Sequence, residues 1–182
     1  MRILIALAFC LTMQLVVAQD YKVVSNNSKV SVTGTSSLHD WECVVNTFEG
    51  NVAATVENNE IQQIENFNFQ FKVKSLDSGK SSMNKNTYEA LKEDKYPTIT
   101  YKGTSVNINS NTATFTGTMT IAGTAKKFSS KAKINYSNGK ITLLGSEEFK
   151  LTDFNIEPPT AVFGTIKTGD TVAIHYNIQL SK

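Results

Sequence analysis

Proline is nearly absent: three residues in 182, Pro97, Pro158 and Pro159. No proline-rich linker and no low-complexity tract divides the chain, so one domain is expected. Cysteine is just as scarce, with Cys10 and Cys43 alone. If the first belongs to a removed leader, the remaining thiol has no partner within the chain, and stability has to come from a packed core. There is no excess of charge of one sign, since 18 basic residues face 16 acidic ones, interspersed along the chain. Nucleic-acid binding draws its affinity from a basic stripe, and none is present. Two histidines, His39 and His175, with no ligand-like cluster, leave no pattern for a zinc site.

Long apolar runs are missing everywhere except at the start. Met1-Arg2 supplies a positive charge, Ile3 to Val17 is almost unbroken apolar sequence, and Ala18 precedes Gln19. This is the pattern of a charged n-region, an h-region and a small residue before the cleavage point. The run falls short of the roughly 20 apolar residues of a membrane span, and Thr12 and Gln14 interrupt it. Phe9 stands where a lipoprotein signal needs a small residue before Cys10. The reading is a signal peptide over residues 1–18 and a soluble domain over 19–182.

What is abundant is alternation. Phe67, Phe69, Phe71 and Val73 occupy one face of the segment from Asn66 to Ser75, with polar residues on the other. The same period of two recurs at Val30 and Val32, at Ile99 and Tyr101, and from Phe115 through Met119 to Ile121. It continues at Phe128 to Tyr136, at Ile141 to Gly145 and at Val172 to Leu180. Each run reads as a strand with one dry and one wet face. Asn138-Gly139 is a strong hairpin signal, because both central residues tolerate positive φ. Asn58-Asn59, Ser110-Asn111 and Ala122-Gly123 sit between other runs as tight turns, which makes the second half an antiparallel meander. Two stretches depart from the pattern. Lys80 to Asp94 reads as short helical turns ended by Pro97, and Asp153 to Gly169 as one long irregular loop; if the fold holds a ligand, the helix near Met83 to Lys92 and this loop are the candidate elements of its mouth. The segment from Asn59 to Ser75 is longer than an ordinary strand, and Ile61 and Ile64 break its alternation, which predicts a bulge near its start.

About eight such strands can bury their apolar faces as a sandwich or as a closed barrel. Gly34, Ala113, Gly117, Ala132 and Gly145 fall on the inward rows. Small residues there either leave room for a ligand or allow the wall to bend, and the pattern does not separate the two.

Several motifs taken together resemble the YceI-like family. These are Ser36-Ser37-Leu38-His39-Asp40-Trp41, Ser75-Leu76-Asp77-Ser78-Gly79, and Lys95-Tyr96-Pro97-Thr98-Ile99. They are followed by Thr116 to Gly123, Thr152-Asp153-Phe154-Asn155-Ile156 and Gly169-Asp170-Thr171-Val172. The resemblance runs from about Ser28 to the end. It implies an all-β, extended antiparallel lipocalin-like barrel with one short helical segment, periplasmic or secreted in bacteria. It further implies an apolar ligand, a polyisoprenoid chain such as an isoprenoid quinone, no resident cofactor, and transit that includes transient contact with membranes. Two positions differ from many members: Leu151-Thr152 stands where an arginine is common, and Asn155 where glycine follows the Asp-Phe pair.

On this resemblance Phe69, Phe71, Phe115, Met119, Ile134, Tyr136, Ile174 and Tyr176 are the expected wall of a lipid-binding lumen. Alternation alone fits an ordinary packed core equally well. The hydroxyls of Tyr101, Tyr136 and Tyr176 are available to a ligand head group or to the barrel wall itself. Ser37, His39 and Asp40 carry no nucleophile-elbow motif and read as turn chemistry, so catalysis is not expected. The alternatives to a carrier are a filled β-domain with an interaction role and an enzyme acting on a lipid. Amino-terminal sequencing of protein recovered from the cell envelope is expected to begin at Gln19; a chain starting at Met1 would make the leader a retained segment.

Overall fold

The computed structural model describes residues 18–182; the expected leader, apart from Ala18, lies outside the described residues. Twelve β segments and one helix follow in order. They are β1 (Gln19–Val23), β2 (Lys29–Ser36), β3 (Trp41–Val45), β4 (Glu49–Glu57), β5 (Glu60–Lys72), β6 (Leu76–Asp77) and α1 (Ser81–Ala90). Then come β7 (Thr98–Asn109), β8 (Thr112–Ile121), β9 (Thr124–Ser137), β10 (Lys140–Lys150), β11 (Thr160–Ala161) and β12 (Ile166–Ser181).

The registers reduce these segments to eight staves. β1 pairs β4 with Tyr21 opposite Val52, while β2 pairs β3 with Val32 opposite Cys43. In nearly the same register β4 pairs β5 and β3 pairs β6. β1 with β2, β3 with β4, and β5 with β6 are therefore three long strands, each broken once. A 3-10 turn at Ser25–Asn27 breaks the first, and another at Val73–Ser75 breaks the third. β7, β8, β9, β10 and β12 complete an up-and-down meander, and β12 closes the ring on β2 and, at Lys22↔Ser181 and Val23↔Leu180, on β1. All pairings are antiparallel, as the hairpins require. This is the expected barrel of about eight strands with one short helix.

Turn chemistry sets the registers at both ends of the barrel. Asn58 and Asn59, Ala122 and Gly123, and Asn138 and Gly139 all have positive φ at both central positions, the type I′ geometry that matches strand twist. The long fifth segment bulges twice against β4, between Ala53 and Ala54 and between Thr55 and Val56, close to the Ile61 and Ile64 irregularity. The stretch from Asp153 to Gly169 differs from the expected loop. It holds a 3-10 turn at Leu151–Phe154 and a β11–β12 hairpin with Ala161 opposite Ile166. The hairpin was hidden because its tip places Val162 and Phe163 at positive φ, where glycine or asparagine would have announced a turn.

The barrel glycines have a third use, beyond leaving space or bending the wall. Gly34, Gly50, Gly103, Gly117 and Gly145 each stand opposite an aromatic residue, respectively Trp41, Phe69, Phe67, Phe128 and Tyr176. A Cβ at Gly34 would overlap the Trp41 ring, and one at Gly145 the Tyr176 ring. The rings of Trp41, Phe69 and Tyr176 thus lie over Gly34, Gly50 and Gly145, and Phe67 lies over both Gly103 and Gly117. Phe67 centres the resulting cluster, 4.8 Å from Tyr101 and 5.2 Å from Phe115 between ring centroids. Gly34→Ala is expected to cost about 1–3 kcal/mol in urea denaturation, the range for overpacking, and much less in a Trp41→Ala background. An undiminished cost without the indole would contradict this seating.

Candidate functional site

Height along the barrel separates a filled end from a hollow one. The end carrying the Asn58–Asn59 and Asn138–Gly139 turns is packed solid by Tyr21, Val52, Ala113, Ala132, Ile141, Leu143 and Leu180, all nearly inaccessible. Tyr136 meets Tyr21 edge to face there, at 6.3 Å. The opposite end holds a cavity of about 770 Å³, within the size range of small-molecule pockets. Its wall is the apolar row of Val32, Cys43, Phe71, Ile121, Val172 and Ile174. Its rim comes from the β2–β3 loop, the inner side of α1 and the β11–β12 hairpin. A smaller space of about 90 Å³ lies deeper, bounded by Phe69, Phe115, Phe128 and Tyr176. Phe71, Ile99, Met119 and Ile174 border both and form the neck between them.

The eight expected wall residues divide accordingly. Phe71, Met119 and Ile174 border both spaces, and Phe69, Phe115 and Tyr176 border the inner one. Ile134 and Tyr136 border neither and sit at the filled end. Period two tells which face a side chain takes but not how high it stands. Trp41, Cys43 and Leu151 also line the cavity, while Met83, Leu91 and Ile156 come from the two segments expected at the mouth, the helix near Met83 to Lys92 and the stretch from Asp153 to Gly169. Trp41 and Cys43 alternate along the short strand β3, and Leu151 opens a 3-10 turn, where no alternation marks an inward face.

Few polar groups inside are free. Tyr101 donates to the Phe115 carbonyl of β8 at 2.7 Å. The Tyr176 hydroxyl sits 2.5 Å from Ser130 Oγ and reaches the Lys131 carbonyl at 3.3 Å. Desolvation pushes both phenols above the ordinary tyrosine range, so both stay neutral. These hydroxyls serve the wall. β9 and β10 pair only as far as Gly145↔Ala132 and then part toward the mouth. Tyr176 and the Glu147 carboxylate, which accepts from the Lys131 N–H at 2.5 Å, satisfy the backbone of β9 across that gap. The rings of Phe128, Phe149 and Phe154, in edge contacts at 5.9 and 5.5 Å, pack along it.

Polar side chains instead fix the mouth. Asp77 Oδ1 accepts from the Gly79 N–H and from Asn84 Nδ2, each at 2.8 Å, which ties the end of β6 to α1. Those bonds hold its carboxyl below the ordinary range. Tyr88 donates to the Leu76 carbonyl at 2.8 Å and seats the same helix. Asp170 accepts from the Thr152 N–H at 2.9 Å and from its hydroxyl at 2.7 Å, and is likewise held low. Asn155 takes the left-handed conformation, φ 55°, that glycine would otherwise supply. Tyr96 packs against the turn at Gly123. The motifs from Ser75 to Gly79, from Lys95 to Ile99 and from Thr152 to Ile156 are therefore largely the fastenings of the mouth.

The remaining chemistry-bearing residues are engaged locally. Ser37 accepts from the Lys167 N–H at 3.0 Å, and His39 Nδ1 lies 2.6 Å from its neighbour's carbonyl, with no hydrogen bond between the two side chains. His175 bridges Thr33 and Ser146 on the outside of the sheet. Among the described residues no group of three or more His, Cys, Asp or Glu could hold a metal ion. No helix among them is long and apolar enough to cross a membrane.

A closed antiparallel barrel, packed at one end and hollow and apolar at the other, defines the class of lipocalin-like binding folds. The chain belongs to the YceI-like domain family, whose model matches residues 21–180. It is similar in structure to BcnA from Burkholderia cenocepacia at 20% identity and a TM-score of 0.73, covering 86% of this chain and 98% of that one. It is also similar to a polyisoprenoid binding domain from Saccharophagus degradans implicated in plant cell wall breakdown, with 10% identity, a TM-score of 0.67 and coverage of 91% and 98%. A YceI protein from Campylobacter jejuni shares 18% identity at a TM-score of 0.61, over 76% of this chain and 83% of that one. No curated protein matches.

Cys43 reports on the cavity wall. It is buried at 2% exposure, and desolvation pushes its thiol up to about 11. Little thiolate exists at pH 8, so alkylation is expected to run roughly a hundredfold slower than for a free thiol and to accelerate as pH rises toward 11. A fast, pH-independent reaction would place the thiol in solvent.

Proposed function

We propose that the chain is an exported carrier that holds one polyisoprenoid-type chain in its barrel, with no catalytic step. The observation that carries the reading is the cavity of about 770 Å³, whose lining is mainly apolar; the buried side-chain polar atoms left without a partner among the described residues, on Tyr21 and Asn68, do not border it. Such a site binds by removing hydrocarbon from water, at about 0.8 kcal/mol per buried CH₂. One C5 unit contributes several kcal/mol gross by that measure, less the cost of ordering a flexible chain. The tail enters first. At the inner end the hydroxyls of Tyr101, Tyr176 and Ser130 are already bonded, so that end suits a hydrocarbon terminus. Ser36, His39, Lys80 and Asn86 stand among the rim residues, where a polar head group remains wet. Family membership and the Saccharophagus neighbour support an isoprenoid ligand, and the leader over residues 1–18 supports a periplasmic or secreted location.

Solvent extraction of the purified protein followed by mass spectrometry is expected to release about one isoprenoid lipid per barrel. Met119→Trp, which fills the neck between the two spaces, is expected to lower uptake about tenfold or more while the β-type circular dichroism persists. Empty extracts from a host rich in such lipids, together with unchanged uptake by the variant, would count against the carrier.

A further inference from the structure

The exposed apolar residues of this molecule are concentrated at one place. Of the four exposed large hydrophobic side chains among the described residues, Leu38, Val162 and Phe163 all border the cavity mouth, and Phe163 is fully exposed. Val162 and Phe163 form the tip of the β11–β12 hairpin, closed by the Gly164 N–H on the Ala161 carbonyl at 3.2 Å. Three successive residues there, Val162, Phe163 and Gly164, have positive φ.

Two costs therefore coincide at the tip. A β-branched residue at positive φ is a genuine backbone outlier, and a bare phenylalanine ring in water forfeits its burial. The protein's other tight turns show no such sequence. Asn58-Asn59, Ala122-Gly123 and Asn138-Gly139 put polar or small residues at the same left-handed positions. Val162-Phe163 is the exception, and it sits where a lipid must enter. Strain and exposure kept together at a site mark a functional demand that the fold alone does not make.

We propose that the β11–β12 tip, with Leu38 beside it, is a wedge that inserts into the surface of a lipid bilayer and sets the cavity mouth against the membrane. The occupant follows from continuity: these side chains border the cavity, so an apolar chain leaving the barrel passes between them without meeting water. Only a partner that is itself the apolar chain's solvent extends that path, and a bilayer is that partner. The ring and the branched side chain enter the acyl boundary, where apolar burial is regained. Insertion by uncharged side chains depends little on ionic strength, because salt screens only charges. The proposal rests on the carrier reading for its purpose but not for its geometry.

The test is flotation of purified protein with phosphatidylcholine vesicles, at low and at high salt, alongside titration with a short fluorescent isoprenoid in the absence of vesicles. The native protein is expected to float in both salts. Phe163→Ser is expected to lose roughly tenfold or more in partition, the scale of one exposed large apolar side chain. The double substitution Val162→Asn with Phe163→Gly restores ordinary turn chemistry, so it keeps the hairpin and should also stop floating. Both variants should take up the soluble probe as the native protein does. Native protein that stays with the bulk solution, variants that float equally, or flotation abolished by salt would overturn the wedge. So would tip-dependent dimers in sedimentation with vesicle binding unchanged, which would assign the tip to a second copy of the chain. Flotation without probe uptake in any form would instead sink the carrier reading and leave the wedge standing.

Discussion

Closure of the backbone ring is the constraint on which everything else depends. Because β12 pairs on one side with β10 and on the other with β2 and β1, the ladder of peptide hydrogen bonds comes back on itself. A wall satisfied in this way does not need a full interior to keep its polar groups bonded. A sandwich held by side chains meeting across its core has no such freedom, since a void there forfeits the contacts that join the sheets. The barrel can therefore be packed where stability is required and left open where it is not. Tyr21, Ile141 and Leu180 at one end, and the Phe67 cluster in the middle, supply the packed part.

The same constraint explains the hydroxyls and the glycines. Where β9 leaves β10, the ladder is interrupted, and the Tyr176 hydroxyl and Glu147 carboxylate take over the bonds that a strand partner would have made. Tyr176 can do so only because Gly145 lets its ring lie across β10. Polar side chains facing inward are thereby used up on the wall, which leaves the cavity surface to Val32, Phe71, Ile174 and their neighbours. An apolar pocket results as much from satisfied polar groups as from apolar residues.

Much of this was legible in the sequence, because alternation and turn chemistry are local. The meander could be read from Asn138-Gly139 and its counterparts, the bulges from Ile61 and Ile64, and the left-handed turn from Asn155. The breaks that split the first three staves were not legible: Ser25–Asn27 and Val73–Ser75 carry no glycine or proline, and their turns are imposed by the tertiary path of the barrel. Ile134 was expected at the lumen and lies at the filled end, since a period of two contains no information about distance from the mouth. Cys43 was missed because β3 has only five residues and shows too little of its period, and Leu151 because its 3-10 turn has none. The motifs that carried the family resemblance pointed to the mouth, but mostly to its fastenings, such as Asp77 on Asn84 and Asp170 on Thr152.

An apolar wall also dictates how cargo would be surrendered. Relative to water, every CH₂ placed in the cavity is favourable, and a chain of several isoprene units would scarcely dissociate into solution. Relative to a bilayer that advantage vanishes, because lipid tails are as apolar as the side chains that line the barrel. What remains between the two locations is the ordering of the chain, which favours the bilayer, and close packing against Phe71, Met119 and Ile174, which favours the protein. These terms oppose each other, so exchange at a membrane surface can run in either direction without an energy source, while escape through water is blocked. A carrier built on this principle has no use for a catalytic group or a gate driven by chemistry. It needs a continuous apolar path from its interior to the membrane, and the exposed side chains around the mouth extend that path outward, beyond the interior surface that holds the chain.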